Sequence, residues 1–480
     1  MPINSSEYIV SKALLDADRE FEGENPYGKP IDIYGMIAEV SIFESIEKAY
    51  LTASIVVVDT QKVISDIVNM QGTEKLTLTM STDEHGEGSV NQEFTLNLRV
   101  VSIIDEKKTN DYTMVYVLNC VSEHAFNDAN VQLSRSYKGQ LEDIAEKVLE
   151  DYLDVKVDRD PSYWEGQTIQ GRLKLIVPYL SPLDTVSWLT ERGCKDDTSP
   201  IFMWQTVWDD GNETKVRLGD FATMASFGSE DVNEDAAQPA IDWNRSFVYS
   251  SYGPNNTDLG ETVREPGTKE NRTMVVELGS GNTTNSDTLK MINEGAVGSR
   301  LVTLDTYTTQ KFDRHFNLEE FLKYYRDNAL TPLSNIFSDA FDPDHKVKVG
   351  KETKSPAEFD GRGRNLVTSY GTYEWENSYH DVPDPTAAMN KVRKGVVKNL
   401  MYRDLINVTV PGYSFMIEKL GAGDCIGLRL PESFTDDEGG EQISEPHTGV
   451  YMVLALRHVF VSNTHRVVAT CCKIEDVLPS

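Results

Sequence analysis

The sequence predicts an α+β protein that is predominantly β, with an antiparallel barrel or sandwich at each end and mixed α/β and loop-rich segments between. Three observations predict it. Apolar and polar residues alternate in successive runs from Ile31 to about Val121. The period then lengthens to that of helices, and from Leu405 onward the alternation returns.

The first unit is placed at 30–122. The runs IDIYGMIAEVSIF, AYLTASIVVVD, KLTLTM and FTLNLRVVSII have strand composition, and Phe94, Leu96, Leu98 and Val100 line one face of the last. In DYTMVYVLNCV, Tyr112, Met114, Tyr116 and Leu118 take one side and Val115 and Val117 the other. Polar turns such as DEHGEGS and DEKKTND separate the runs, as an antiparallel arrangement requires.

A helical or mixed domain follows at 123–196. In KGQLEDIAEKVLEDYL, residues Leu141, Ile144, Ala145, Val148, Leu149 and Tyr152 share one helical face. SPLDTVSWLTERG carries Ser181 as N-cap, Pro182 at the first helical position, Trp188 and Leu189 for packing, and Gly193 as a stop. Residues 197–250 read as a hairpin region packing with the second barrel, since apolar runs flank DDGN in IFMWQTVWDDGNETKVRLGDF. From 251 to 385 the chain is loop-rich, with a Gly/Asn/Thr insertion around 253–296 read as surface loop. It holds a short strand in RLVTLDTYT and a helix begun by Asn317 and Glu320, with Leu318, Phe321, Leu322 and Tyr325 on one face.

The second β unit, 386–480, opens with a helix at 386–402 bearing Met389, Val392, Val396 and Leu400 on one face. LINVTVPG, DCIGLRLP, TGVYMVLALRHVF and THRVVATCCKIED come next as strands. Within it, LGAGDCIGLRLP superficially resembles a nucleotide-binding loop. The dinucleotide fingerprint G-x-G-x-x-G must open a helix. Here the third glycine, Gly427, falls one residue late, and the residues around it have strand period and end in Pro431. The segment is therefore a tight turn feeding a strand, with Gly421 and Gly423 free to adopt positive φ.

Composition excludes several classes of function. With 46 basic and 77 acidic residues the net charge is -31, which repels DNA and anionic lipid; it permits an acidic wall that DNA slides past without sticking, and is equally a common route to solubility. No apolar run reaches the ~20 residues of a membrane span, and MPINSSEYIVSKALLDADREF has no secretory-signal pattern, so cytoplasmic synthesis is expected. Cys120, Cys194, Cys425, Cys471 and Cys472 are scattered, as reduced buried thiols are; Cys471 and Cys472 would point to opposite faces of a strand.

No catalytic, cofactor or metal site is expected. The histidines form no HExxH or Cys/His cluster, and packing or hydrogen bonding is the better reading of His458 and His465. Asp342, Asp344 and His345 are too few for a calcium shell. Asp209 with Asp210, and Asp436 with Asp437 and Glu438, read as solvated turns rather than a glycosidase pair. Trp204, Trp208, Tyr179 and Trp188 read as core or subunit packing rather than a sugar platform.

In this order the segments resemble the central baseplate hub protein of contractile-tailed bacteriophages of the T-even type. The resemblance is carried by a helix into INVTVPG, the G-x-GD turn at Gly421–Asp424, IGLRLP and HTGVYMVLALRHVF, with LIVPYLSPLDTVSWLTERG, SPIFMWQTVWDDG and VRLGDF upstream. It covers about 31–476. It implies a non-enzymatic homotrimer in the virion tail baseplate, each chain carrying two similar β-barrel tube domains in a pseudo-sixfold ring. Such a ring adapts a threefold central spike to the sixfold tail tube around a DNA channel. The implied partners are the central spike protein, the tail tube protein, and baseplate wedge and tape-measure proteins. The insertion at 253–296 departs from the family plan. Competing expectations are the hub part of a contractile injection or type VI secretion spike, a β-rich peptidoglycan-degrading enzyme, and a module that binds the host surface. The absence of a needle repeat after Ser480 argues for a separate spike chain.

Overall fold

The computed structural model describes residues 8–17, 30–60, 64, 70–81, 93–110, 113–164, 173–195, 199–210, 213–227, 246–249, 274–275, 277–278, 283–284, 289, 292–293, 298–305, 309, 311–318, 346–355, 366–370, 389–402, 404–429, 449–461 and 464–475. The N-terminal β unit comprises β1 (Ile9–Asp16), β2 (Ile37–Ser45), β3 (Thr52–Asp59), β4 (Lys75–Ser81), β5 (Glu93–Asn110) and β6 (Thr113–Ser122). They pair antiparallel in the spatial order β1-β4-β5-β6-β3-β2. Alternation decides which face is inward: Ala53, Ile55 and Val57 of β3 are buried, while Thr52, Ser54 and Val56 are half-buried. Two details differ from the sequence expectation. The sheet takes in β1, upstream of residue 30, whose Ala13 and Leu15 are buried; and a 3-10 turn at Tyr34–Met36 interrupts the run expected as a continuous strand.

The next segments are α1 (Glu123–Asp128), β7 (Ser136–Gly139), α2 (Leu141–Leu153), β8 (Lys156–Asp158), β9 (Leu173–Ile176), α3 (Pro182–Thr190), β10 (Ile201–Trp204), β11 (Lys215–Asp220) and α4 (Phe221–Phe227). Helix α2 buries Leu141, Ile144, Ala145, Val148 and Leu149 on the face its periodicity gives. Helix α3 starts at the expected cap, where Ser181 Oγ accepts from Asp184 N at 3.2 Å. Strands β10 and β11 form the antiparallel pair expected of the aromatic hairpin. Trp208, however, sits in a 3-10 turn at Val207–Asp209 rather than on a strand.

The C-terminal part contains β12 (Ser246–Tyr249), β13 (Gly298–Asp305), β14 (Lys311–Asn317), β15 (Leu366–Tyr370), α5 (Met389–Met401), β16 (Asp404–Pro411), α6 (Gly412–Ile417), β17 (Cys425–Arg429), β18 (Gly449–Val461) and β19 (Thr464–Glu475). β18 and β19 are antiparallel, β16 pairs with the other edge of β19, and β17 pairs with the first part of β18. Part of the segment expected as surface loop is on this sheet. Met274–Val275 pairs with β12, and Glu277–Leu278 and Thr283–Thr284 pair with β16, giving those edges main-chain partners. The helix expected from Asn317 lies outside the described residues beyond Leu318.

The two β units form one sheet. The second half of β18 pairs antiparallel with β2, from Ala455 opposite Ser45 to Val461 opposite Glu39. Among the described residues this sheet runs as an open path, so the expected pair of barrels is present as a predominantly antiparallel β continuum and not as closed barrels. The burial of β18 changes where its neighbour changes. Val450 to Leu454 are buried on both faces, with Met452 and Leu454 against Trp204, Met224, Val396 and Leu400, and Tyr451 and Val453 against Phe247 and Phe415. Beyond Ala455 the strand alternates. Cys471 and Cys472 do face opposite ways, and both are buried because each face there meets a core.

Phe460, near the end of β18, belongs to the core of the N-terminal unit, with its ring 4.7 Å from that of Tyr8 and 6.3 Å from that of Phe94. Phe460→Ala is expected to cost ~3–5 kcal/mol in urea unfolding. The midpoint of a probe in the N-terminal unit should move together with that of the C-terminal unit, and separate midpoints would contradict a shared core.

Candidate functional site at the seam of the two β units

The inward phase of β2 runs Val40, Ile42, Glu44, so the strand pattern itself carries a carboxylate into the interior. Glu44 is 3 % exposed. Its Oε1 accepts from Val207 N at 2.8 Å and lies 3.2 Å from His458 Nε2, and its Oε2 accepts from Ala422 N at 3.0 Å. One side chain thus joins β2, the Val207–Asp209 turn, the GAGD turn and β18. His458 Nδ1 lies 3.0 Å from His465 Nε2. With Glu44 as acceptor, His458 Nε2 is the donor to its Oε1, and the contact between the two imidazoles pairs an N–H of one ring with a ring nitrogen of the other. The His465 ring stacks on Phe460 at 4.1 Å, which closes the cluster against the N-terminal core.

The GAGD turn is held from its other side by a second chain of polar groups. Asp424 Oδ2 accepts from Gly421 N at 2.7 Å, and its Oδ1 accepts from the Tyr163 hydroxyl at 2.9 Å. Arg217 Nη1 donates to that hydroxyl at 2.7 Å, and Arg217 Nε donates to Asp209 Oδ2 at 2.8 Å. Asp209 also accepts from Thr206 N and Thr206 Oγ1 at 2.9 and 2.8 Å. Burial pushes the Asp209 carboxyl up while Arg217 and Thr206 pull it down. Burial opposes the charge on Arg217, but Asp209, Tyr163 and Asp424 outweigh that and raise its pKa. Burial, with Asp424 next, raises the Tyr163 phenol. Trp208 Nε1 donates to Leu420 O at 3.0 Å and its ring meets Phe94 edge-on at 5.3 Å, tying the turn to the N-terminal core as well.

The two glycines of the turn are needed for different reasons. Gly423 has φ +92°, and a Cβ there would lie 2.6 Å from Trp204 Cζ2. Gly421 is not among the positive-φ glycines; its requirement is space, since a Cβ would lie 2.6 Å from Thr206 Cγ2.

Several sequence expectations are placed or corrected here. Asp209 and Asp210 are not a solvated pair: Asp209 is buried against Arg217, and Asp210 Oδ2 accepts from Asn97 N at 2.7 Å. Asp436, Asp437, Glu438, Asp342, Asp344 and His345 lie outside the described residues. Trp204 is fully buried, Trp188 is half-buried under Arg192 at 4.3 Å, and Tyr179, expected to pack, is 70 % exposed with φ 56°. Glu44, Tyr163, Arg217 and Asp424 do not stand out as network residues in the sequence. The readable signal for Glu44 is its phase with Val40 and Ile42. Among the described residues no group of three or more His, Cys, Asp or Glu could hold a metal ion, and no helix is long and apolar enough to cross a membrane.

No protein-family model matches the chain, and no curated protein matches it in sequence. Among solved structures, it is similar to the tail protein from Neisseria meningitidis MC58, at 10% identity and TM-score 0.46 over 97% of this chain and 96% of that one. It is similar to the 43 kDa tail protein of prophage MuSo2 from Shewanella oneidensis, at 10% identity and TM-score 0.43 over 96% and 98%. It is also similar to a Francisella PdpA-VgrG complex, at 9% identity and TM-score 0.42; the match covers 100% of this chain and 54% of that one. These neighbours are two tail proteins, one of them from a prophage, and a VgrG complex.

Gly423→Ala is expected to destabilise the protein by ~1–3 kcal/mol through backbone strain and collision with Trp204. Gly395→Ala, inside α5 with nothing within 4 Å of the new methyl, is expected to stabilise it by ~0.5–1 kcal/mol. Equal effects of the two in urea unfolding would remove the structural role assigned to the turn.

The seam also makes stability pH-dependent. Burial, then His458, pushes the His465 pKa well below its ordinary value, and burial lowers His124. Below about pH 6.5 the unfolded chain binds protons that the folded chain refuses, so these groups remove stability as pH falls through that value. His465→Asn is expected to flatten the fall in Tm between about pH 7 and pH 5.5 relative to the parent. An unchanged slope would show that His465 is not the group responsible.

Proposed function

We propose that this chain is the hub of a contractile phage tail baseplate, a non-enzymatic structural protein that works as a homotrimer. Each copy contributes two similar β walls, 30–122 and 386–480, with 123–196, 197–250 and 251–385 distributed around them. Three copies then present six comparable surfaces to the tail tube and three to a central spike, around a passage for DNA. The observation that carries the reading is the β2–β18 pairing, which sets the two end units side by side in one sheet inside a single chain. A pseudo-sixfold ring made from three subunits needs that geometry, because half of its wall-to-wall contacts fall within a chain.

Two further points support it. The order of the strand, turn and hairpin segments resembles that of the hub family over most of the chain. The net charge of -31 suits a wall past which DNA slides without sticking. Spike, tube, wedge and tape-measure proteins are the partners this role requires, and the tail baseplate is its location.

Light scattering on the purified protein is expected to give about 162 kDa, three times the 53.9 kDa chain. Negative-stain images should contain threefold rings with a central passage. A monodisperse monomer at high concentration, or a ring without a bore, would contradict the proposal.

A further inference from the structure

The segment KVKVGKETK differs from the rest of the chain in both charge and burial. Val347–Val349 and Glu352–Lys354 pair antiparallel, with Val347 opposite Lys354 and Val349 opposite Glu352, and Gly350 turns the chain at φ +66°. The two strands form a sheet of their own. Such a ribbon is marginally stable in water unless something covers one of its faces. Here no residue from Lys346 to Thr353 is buried. Alternation puts Val347 and Val349 on one face, 40 % and 49 % exposed, and Lys346 and Lys348 on the other.

The lysines stand out for a second reason. At other exposed positions cations rest on carboxylates, as Lys156 does on Glu213 at 3.0 Å, Lys311 on Asp313 at 3.2 Å and Arg457 on Glu39 at 3.1 Å. On the ribbon Lys354 meets Glu352 at 2.9 Å, while Lys346, Lys348 and Lys351 have no ion pair or hydrogen bond among the described residues. In a chain with 77 acidic residues, these ammoniums are left for an outside partner.

We propose that this ribbon docks on the acidic exterior of a second copy of the chain. Val347 and Val349 lie against that copy, and the long lysine stems reach past the edge of the ribbon to carboxylates around the contact. Charge selects the partner. Two copies that each carry -31 repel, so a contact between them needs positive charge placed locally, and the ribbon supplies it. The valines select protein over nucleic acid, because phosphates would engage the lysines alone, whereas half-exposed apolar side chains lose water only against another apolar surface. Ribbon and acidic exterior are different surfaces, so the contact is heterologous, and three such contacts can close a ring. The inference rests on the trimer proposed above and names one contact that holds it together.

Carbodiimide cross-linking of the full chain tests it. The reagent joins an ammonium to a carboxylate that it touches, and unlabelled and isotope-labelled copies assembled together distinguish bonds between copies from bonds within one. Mass spectrometry is expected to find Lys346, Lys348 or Lys351 of one copy joined to an aspartate or glutamate of another. In sedimentation at low ionic strength, the triple variant Lys346→Gln, Lys348→Gln, Lys351→Gln is expected to raise the concentration at which the trimer half-dissociates by about tenfold. Added salt should close that gap. The three side chains are exposed, so the variant should keep the parent's urea midpoint. A trimeric parent without such cross-links between copies, or a variant that dissociates as the parent does, would overturn the docking contact and leave the hub reading standing; a parent that stays monomeric would overturn both. Binding of a short DNA duplex by the parent that the variant loses would give the ribbon to nucleic acid and overturn a second copy as its partner.

Discussion

The structure depends on the burial of one carboxylate. Glu44 sits in the inward phase of β2, where a carboxylate is tolerated only if its oxygens accept hydrogen bonds. Its partners are Val207 N, Ala422 N and His458 Nε2, from segments far apart in the sequence. Folding the N-terminal unit with Glu44 satisfied therefore requires the aromatic turn, the GAGD turn and β18 to be in place. A carboxylate that leaves any one of these bonds unmade pays the full desolvation cost of that group, which is larger than the net gain from an ordinary exposed hydrogen bond.

Packing repeats the same constraint in apolar form. Phe460 leaves the C-terminal hairpin to fill the N-terminal core, and Ile46, at the end of β2, joins the core around Trp204 and Met452. Between them β18 carries the main-chain pairing that joins the sheets. Polar network, side-chain exchange and strand pairing all cross the same seam, so relative motion of the two units would break all three together. In the ring proposed above, that rigidity would let a threefold arrangement meet a sixfold one without flexing.

Much of this is legible in the sequence, and the parts that are not have physical reasons. Strand alternation locates the long strands of the two end units, from Ile37–Ser45 to Thr464–Glu475, and the helical periods of α2, α3 and α5 are readable because each buries a single face. β1 escapes because IVSKALLD has too little alternation to distinguish a sheet edge from a terminal segment. The short strands at Met274–Val275, Glu277–Leu278 and Thr283–Thr284 escape because their order comes from pairing with the sheet rather than from local preference. Asp209 reads as a solvated turn residue since its local context is a turn; its partner Arg217 lies across the hairpin and is invisible to local reasoning. The GAGD turn is recognisable as a turn, while the reason for Gly421 lies in Thr206, more than two hundred residues away.

Native-state hydrogen exchange at the amides of β2 and of the second half of β18 tests the central claim most directly. If the seam is one cooperative unit with both cores, those amides exchange only through the opening that exposes the interior of β3 and β6, with the same free energy and the same denaturant dependence. Seam amides that exchange through a lower-energy opening, while both interiors stay protected, would show two independent units in contact and contradict the account.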